Sequence, residues 1–279
     1  MKALATGLGV VLGLAVSAVR GADSVHFVGF AGVTPPPAKT PAIFGDRTQA
    51  IDIEVDGAAG AVGSISADLF QVAGQLALPL AKGMVLQKGV TLGEGTRLRV
   101  SLRFPEVQRR TEFLARFTLE PGNGQAVHAL GDLRFEVFPQ STTKDLVGIL
   151  QTKDEGARVE VFGPGHKLRQ FFTSLHVPFE DGGEGVPDNF EPNRLYIGEF
   201  TQATPFQEIQ DRAPNARILV FAADESLPSG VYFERSGASV MGHVTAPLLD
   251  NIAGDPRAQL ALTKMLTLLS TSSPNPSSL

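Results

Sequence analysis

The chain contains no cysteine and no tryptophan, and only 2 tyrosines. Without cysteine there is no disulfide, no thiol nucleophile, no thiolate-held metal and no lipid anchor on a cysteine. Without tryptophan, and with so little tyrosine, stacking platforms for bases or sugars are scarce. Dense basic stretches are missing too. The 24 Lys and Arg stand against 29 Asp and Glu, a formal charge of −5, and no run of cations is long enough to follow a phosphate backbone. That composition excludes a nucleic-acid partner.

What is present is apolar and turn-rich. Hydrophobic residues make up 43% of 279, enough for a core that needs no covalent staple. The 18 Phe belong mostly to that core, and 30 Gly with 19 Pro imply many turns between short strands. At the N-terminus, Met1-Lys2 precedes an apolar run from Ala3 to Val19 broken only by Thr6 and Ser17. Gly7, Gly9 and Gly13 weaken that run as a membrane helix, and small residues follow at Ser17-Ala18 and Gly21. The pattern predicts a signal peptide over 1–22, a mature start between residues 19 and 23, and export to the periplasm or the exterior with no membrane span after cleavage.

Residues 23–47 read as an extended lead-in, with a Pro-rich stretch at Thr34-Pro35-Pro36-Pro37. From 48 to 139 the hydrophobic period is two. Ile51, Ile53 and Val55 alternate with acids, Leu98, Val100 and Leu102 alternate with Arg97, Arg99 and Ser101, and Phe113, Ala115, Phe117 and Leu119 share one face. Further strands are expected at 65–70, 75–80 and 84–92. About seven such strands predict an antiparallel, immunoglobulin-like β-sandwich. Residues 139–143, Pro-Gln-Ser-Thr-Thr, have linker composition and mark a domain boundary.

Beyond it the pattern changes. Leu168, Phe171, Phe172 and Leu175 recur at helical spacing and predict a helix over 166–176. Residues 194–198 and the continuous apolar run 217–222 read as buried strands. Thr204-Pro205-Phe206-Gln207 reads as a capping box, and Asp255-Pro256 opens a last helix with Ala258, Leu262, Met265, Leu266 and Leu269 inward. Strands alternating with helices over 144–270 predict a three-layer α/β domain with a mostly parallel sheet. A Ser/Pro-rich tail, from about Ser270 through 271–279, is expected to be disordered.

The strand–helix order of 144–270, with Gly163-Pro164-Gly165-His166-Lys167-Leu168 and Arg217-Ile218-Leu219-Val220-Phe221-Ala222, resembles the class I glutamine-amidotransferase-like fold. Active members carry a cysteine in a strand-to-helix elbow. The resemblance therefore implies a domain that has lost that chemistry.

Candidate ligand-binding residues follow from where open α/β sheets bind, outside the carboxyl ends of their strands. Gly163, Gly165, His166 and Lys167 would cradle an anion at a helix N-terminus. Glu199, Asp224 and Glu225, expected just past two other strand ends, would join His166 as acid–base groups or as ligands to a divalent ion. The acidic, Gly-rich stretch from Glu180 to Asp188 has oxygen ligands suited to Ca²⁺, although its spacing is not that of an EF-hand. Ser239 nearly matches a nucleophile elbow, but Met241 stands where the second glycine is needed, and His243 lies a single helical turn away. His26, His128 and His176 read as structural. The functional expectation is a non-catalytic exported module with no cofactor and no catalytic residues, binding an unidentified protein or small molecule of the cell envelope. The alternative is a hydrolase or transferase built on the carboxylate and histidine cluster.

Overall fold

The computed structural model describes residues 26–31, 40–56, 62–91, 96–122, 126–151, 159–192, 194–201, 205–213, 216–222, 230–236, 239–245 and 247–271. The predicted signal peptide, the Pro-rich stretch at 34–37 and the segment from 272 lie outside these residues. The chain is mostly β. Eight strands come first: β1 (His26–Ala31), β2 (Ala42–Phe44), β3 (Thr48–Asp56), β4 (Val62–Ala73), β5 (Leu76–Thr91), β6 (Thr96–Arg103), β7 (Thr111–Pro121) and β8 (His128–Phe138). They form a three-stranded sheet, β1-β3-β6, and a five-stranded sheet, β2-β8-β7-β4-β5. All pairs are antiparallel except β2 with β8.

The period-two pattern does what strand geometry requires. Phe113, Ala115, Phe117 and Leu119 of β7 are buried, as are Ile65, Ala67 and Leu69 across from them on β4. Ile51 of β3 with Val100 and Leu102 of β6 enters the same core from the other sheet. Phe104 sits within it, its ring 4.8 Å from Phe135 and edge-on to Phe113 at 6.0 Å. The polar positions between face outward and pair across strands, Arg99 with Asp52, Arg116 with Asp132 and Arg134 with Glu112. Exposed pairs of this kind contribute at most about 1 kcal/mol each.

Two expectations for this region change. The lead-in is not merely extended, because β1 pairs with β3 and β2 with β8, and Ile43 and Phe44 of β2 are buried. Short apolar segments complete a sheet edge when one is open to them. The strands expected at 75–80 and 84–92 are one strand, β5, continuous through register shifts against β4, with Gly83 at φ 59° and Gly89 at φ 64° absorbing the turns in its path. This strand forms the open edge of the five-stranded sheet among the described residues, and Leu76, Leu78, Leu80 and Val85 on it are about half exposed or more.

The rest of the chain is α1 (Ser141–Leu150), β9 (Val159–Phe162), α2 (Lys167–Ser174), β10 (Phe179–Asp181), β11 (Leu195–Phe200), α3 (Phe206–Arg212), β12 (Arg217–Ala222), β13 (Val231–Ser236), β14 (Ser239–Val244), a 3₁₀ turn at Leu249–Asn251, and α4 (Pro256–Thr271). The six strands make one sheet in the order β10-β9-β11-β12-β14-β13, parallel except at the β13 edge. Alternate residues serve two faces. Val161, Ile197 and Leu219 pack with Leu146 of α1, Phe172 of α2 and Leu262 of α4. Tyr196, Ile218 and Val220 pack with Ile209 of α3.

The helix expected at 166–176 is α2, with Leu168, Phe171 and Phe172 buried and Leu175 partly so. In α4 the five expected inward residues are all buried, and the Asp255 carboxylate accepts the Arg257 N–H at 2.8 Å. That helix continues through Ser270 and Thr271, which composition assigns to the tail. Of the linker expected at 139–143, Ser141 to Thr143 form the first turn of α1. Thr142 is buried, and the Thr143 hydroxyl donates to Gln259 of α4 at 2.7 Å. Tertiary packing against α4 overrides the poor helix propensity of Ser141-Thr142-Thr143. In α3 the first helical residue is Phe206, with Pro205 at the N-cap, and the Gln207 amide donates to Asp211 instead of closing a box. Thr204 lies outside the described residues.

The segments on either side of Pro139 touch. The Glu136 carboxylate of β8 accepts hydrogen bonds from Arg110 and from Arg257 of α4. Burial pushes Glu136 up, but the two guanidiniums outweigh it and hold the carboxyl below its ordinary range. No helix of the described residues is long and apolar enough to cross a membrane.

The end of α2 carries a local strain. His176 has φ 55°, its N–H bonds the Thr173 carbonyl, and the Val177 N–H bonds the Phe172 carbonyl. This is the left-handed helix stop that glycine normally occupies. His176→Gly is expected to stabilise the protein by about 1 kcal/mol, read as a higher denaturation midpoint with an unchanged slope.

Candidate functional site

In the parallel sheet the chain runs outward from β9 to β10 and then returns to β11 on the other side of β9. The strand order thus reverses between β9 and β11, and at such a point a crevice opens at the carboxyl ends of the strands. The sequence places Gly163-Pro164-Gly165 at the end of β9, leading into the N-terminus of α2, where free N–H groups favour an anion.

The anion is already there, and it belongs to the chain. Glu199 is not beyond a strand end, as expected, but inside β11, which runs to Phe200. Its carboxylate accepts the Lys167 N–H at 3.1 Å through Oε1 and the Leu168 N–H at 2.9 Å through Oε2, and the residue is 3% exposed. The two glycines are explained by this guest. A Cβ on Gly165 would lie 2.2 Å from the Glu199 Cγ. Gly163 has φ +93°, and a Cβ there would lie 2.5 Å from the Glu199 carbonyl oxygen. The Gly165 N–H donates to that same carbonyl at 3.0 Å. The glycines expected to admit a ligand admit a neighbouring strand's side chain instead.

The remaining expected residues divide. Lys167 is exposed and turns toward the 3₁₀ turn, its Nζ 2.6 Å from Asp250 Oδ1. The hydrogen bond to Asp250, with a further contribution from Glu199, holds its ammonium above the ordinary lysine range. His166 is exposed at the N-cap position, makes no capping bond, and acts electrostatically on Asp181 of β10. The structure thus brings Gly163, Gly165, Lys167 and Glu199 together, while the interaction recorded for His166 is with Asp181 of β10. Asp224 and Glu225 lie outside the described residues.

Two arginines that sequence reading passed over organise the acidic loop. Arg169 of α2 donates to the carbonyls of Gly163, Gly165, Val161 and Gly183 and to Asp181 Oδ1 at 2.8 Å. Arg194 pairs with Glu160 at 2.6 Å and Glu180 at 2.9 Å. The loop considered for Ca²⁺ therefore has guanidiniums where a cation would sit, and among the described residues no cluster of His, Asp and Glu is disposed to hold a metal. Arg169 does leave a trace in the sequence. It is a cation in the first turn of a helix, against the helix dipole, and such a conflict signals a partner elsewhere.

The Arg169 hydrogen bond, together with the Gly183 N–H, holds the Asp181 carboxyl below its ordinary range. A carboxyl lowered on folding stabilises fully above its unfolded pKa, and that contribution is lost as pH falls through the folded value. Asp181→Asn is expected to lower stability modestly at neutral pH, to flatten the acid limb, and to converge with the parent protein below about pH 3, as pH-dependent urea melts would show.

The near-elbow at Ser239 is overturned. Ser239 opens β14, the inner strand of a hairpin with β13, and no helix follows at that point. His243 is four residues along the same strand, about 13 Å away at strand rise, so a nucleophile–base pair cannot form. His243 stacks on the Phe206 ring at 4.3 Å.

Beside the filled crevice lies an open one. A cleft of about 360 Å³ sits over the carboxyl ends of β11, β12 and β14. Its walls are Phe200, Phe221, Val244 and Leu249, Glu199 lies at its inner end, and the Lys167–Asp250 pair stands at its mouth. That volume lies within the range of small-molecule sites.

No family model and no curated protein matches the chain. Solved structures align only in part. A Niemann-Pick type C2 protein from the Japanese carpenter ant aligns over 42% of this chain and 96% of its own, with 9% identity and a TM-score of 0.30. The sporulation control protein from Bacillus subtilis covers 47% of this chain and 55% of its own, with 12% identity and a TM-score of 0.29. A family 123 glycoside hydrolase from Clostridium perfringens spans 84% of this chain and 41% of its own, with 6% identity and a TM-score of 0.26. Likenesses this slight carry no functional argument.

Proposed function

We propose that the protein is a non-catalytic exported module that binds a small molecule of the cell envelope in the cleft at the carboxyl ends of β11, β12 and β14. In this reading the chain has two domains, an immunoglobulin-like sandwich and a doubly wound three-layer α/β unit. The second keeps the strand–helix order that resembles the glutamine-amidotransferase-like fold without its cysteine. The separate apolar cores on either side of Pro139 support that division. The apolar N-terminal run supports export.

One observation carries the functional part. The carboxylate at the strand-order reversal is engaged with the backbone of α2, and the space beside it is unfilled. A general acid or base must reach a substrate proton, and Glu199 is buried with both oxygens already accepting hydrogen bonds. The cleft walls are apolar, which suits retention of a ligand.

The test is a fragment screen of the purified protein by methyl NMR. Fragments are expected to move the Val244 and Leu249 resonances, and Ala222→Phe, which fills the cleft, is expected to abolish the response in a protein that remains folded by its NMR spectrum. Turnover of an ester, amide or phosphoester substrate that Ala222→Phe abolishes would replace this reading with the hydrolase one. Limited proteolysis near 139–145 that releases two folded halves would support the domain division.

A further inference from the structure

The proposed cleft also has a chemical sign. The charged groups that line it are one ammonium, Lys167, and two carboxylates, Glu199 and Asp250. The ammonium lies on Asp250 at 2.6 Å and within the field of Glu199, which means that the mouth of the cleft already holds a cation, tethered to α2. This pair is solvated, with side chains 52% and 63% exposed, and exposed pairs are held weakly. A competing cation displaces Lys167 at little cost, because the lysine ammonium is rehydrated as it leaves. Behind the mouth stand two aromatic rings, Phe200 and Phe221, with Val244 and Leu249. Ring faces attract a cation and accept an apolar body equally well.

We infer that the cleft takes a small organic ammonium with an apolar body, its charged head on Asp250 in place of Lys167 and its body against Phe200, Phe221, Val244 and Leu249. A neutral analogue makes the same apolar contacts and lacks the ion pair. An anionic analogue meets two carboxylates, and its one cation is already paired. This inference rests on the proposed cleft-binding role and adds the charge of the ligand.

Three probes of similar shape separate the cases: phenethylammonium, 2-phenylethanol and 3-phenylpropanoate, each titrated into the purified protein while the Val244 and Leu249 methyl resonances are followed. Phenethylammonium is expected to bind at least about tenfold more tightly than either analogue, and less tightly as salt is raised. Asp250→Asn, at an exposed position, is expected to remove that advantage. Lys167→Met deletes the internal competitor and is expected to tighten ammonium binding severalfold. Equal or tighter binding of the alcohol or the carboxylate would overturn the ammonium assignment and leave the cleft as a binding site. An Asp250→Asn variant that kept the full preference would overturn it too. If no probe moved the methyl resonances, both the assignment and the cleft reading would fall.

Discussion

Gly165→Ala is expected to destabilise the protein by about 3 kcal/mol, and to cost far less in a chain that already carries Glu199→Ala. The added methyl would lie 2.2 Å from the Glu199 Cγ and 2.5 Å from Oε1, and the Glu199 backbone is fixed in β11 between β9 and β12. Overpacking of a tight site costs about 1–3 kcal/mol, and here it also levers a carboxylate off its donors. Glu199→Ala alone removes the acceptor of two N–H groups at the start of α2, each worth about 1.5–3 kcal/mol with a charged partner. A loss of about 3–5 kcal/mol is expected. Since both substitutions break the same contact, the double-mutant cycle should give a coupling of about 2 kcal/mol. Additivity in urea melts would mean that the glycine and the carboxylate do not act on one another. Glu199→Gln keeps the shape but offers a second N–H group to two donors, and falls between.

Phe172→Ala is expected to cost about 3–5 kcal/mol. The ring is fully buried, edge-on to Phe179 of β10 with centroids 6.0 Å apart and tilted against Phe171 at 6.1 Å. It joins α2 to the core that α1 and α4 share, so truncation leaves a cavity with little room to collapse. Phe172→Leu keeps most of the volume and should lose less than about 1.5 kcal/mol. A loss below about 1 kcal/mol for the alanine variant would mean that this face of α2 does not bear on the sheet.

How legible these features were depends on how far apart in the chain their causes lie. Alternation in β7 and the helical stripe of α2 are local patterns, and both elements stand where the pattern puts them. The start of α1 was hidden because Thr143 in its first turn is held by Gln259, more than a hundred residues away. The site was half visible. Gly163 and Gly165 signalled that something approaches the backbone closely, but not what. The guest is a carboxylate about 35 residues on, brought in by the pairing of β9 with β11. An external anion and a neighbouring strand's glutamate demand the same glycines and the same helix start. Sequence spacing does not tell these apart. For the cleft, the carboxyl-end location and two lining residues, Lys167 and Glu199, were legible, but its apolar walls were not, since they come from three strand ends and a 3₁₀ turn.

The open edge at β5 has a consequence for how the molecule coexists with its own copies. A long outer strand bearing half-exposed leucines is a template for sheet growth. Pro79 offers no N–H to an incoming strand, and Lys82 and Lys88 would face one another or lie close together across many registers of self-pairing. These three residues act as gatekeepers, and the leucines beside them are tolerated for that reason. Replacing Pro79 with Val and both lysines with Thr would leave every core contact intact and make the protein a nucleus for fibrils, a change visible in concentration-dependent light scattering and silent in a melting curve.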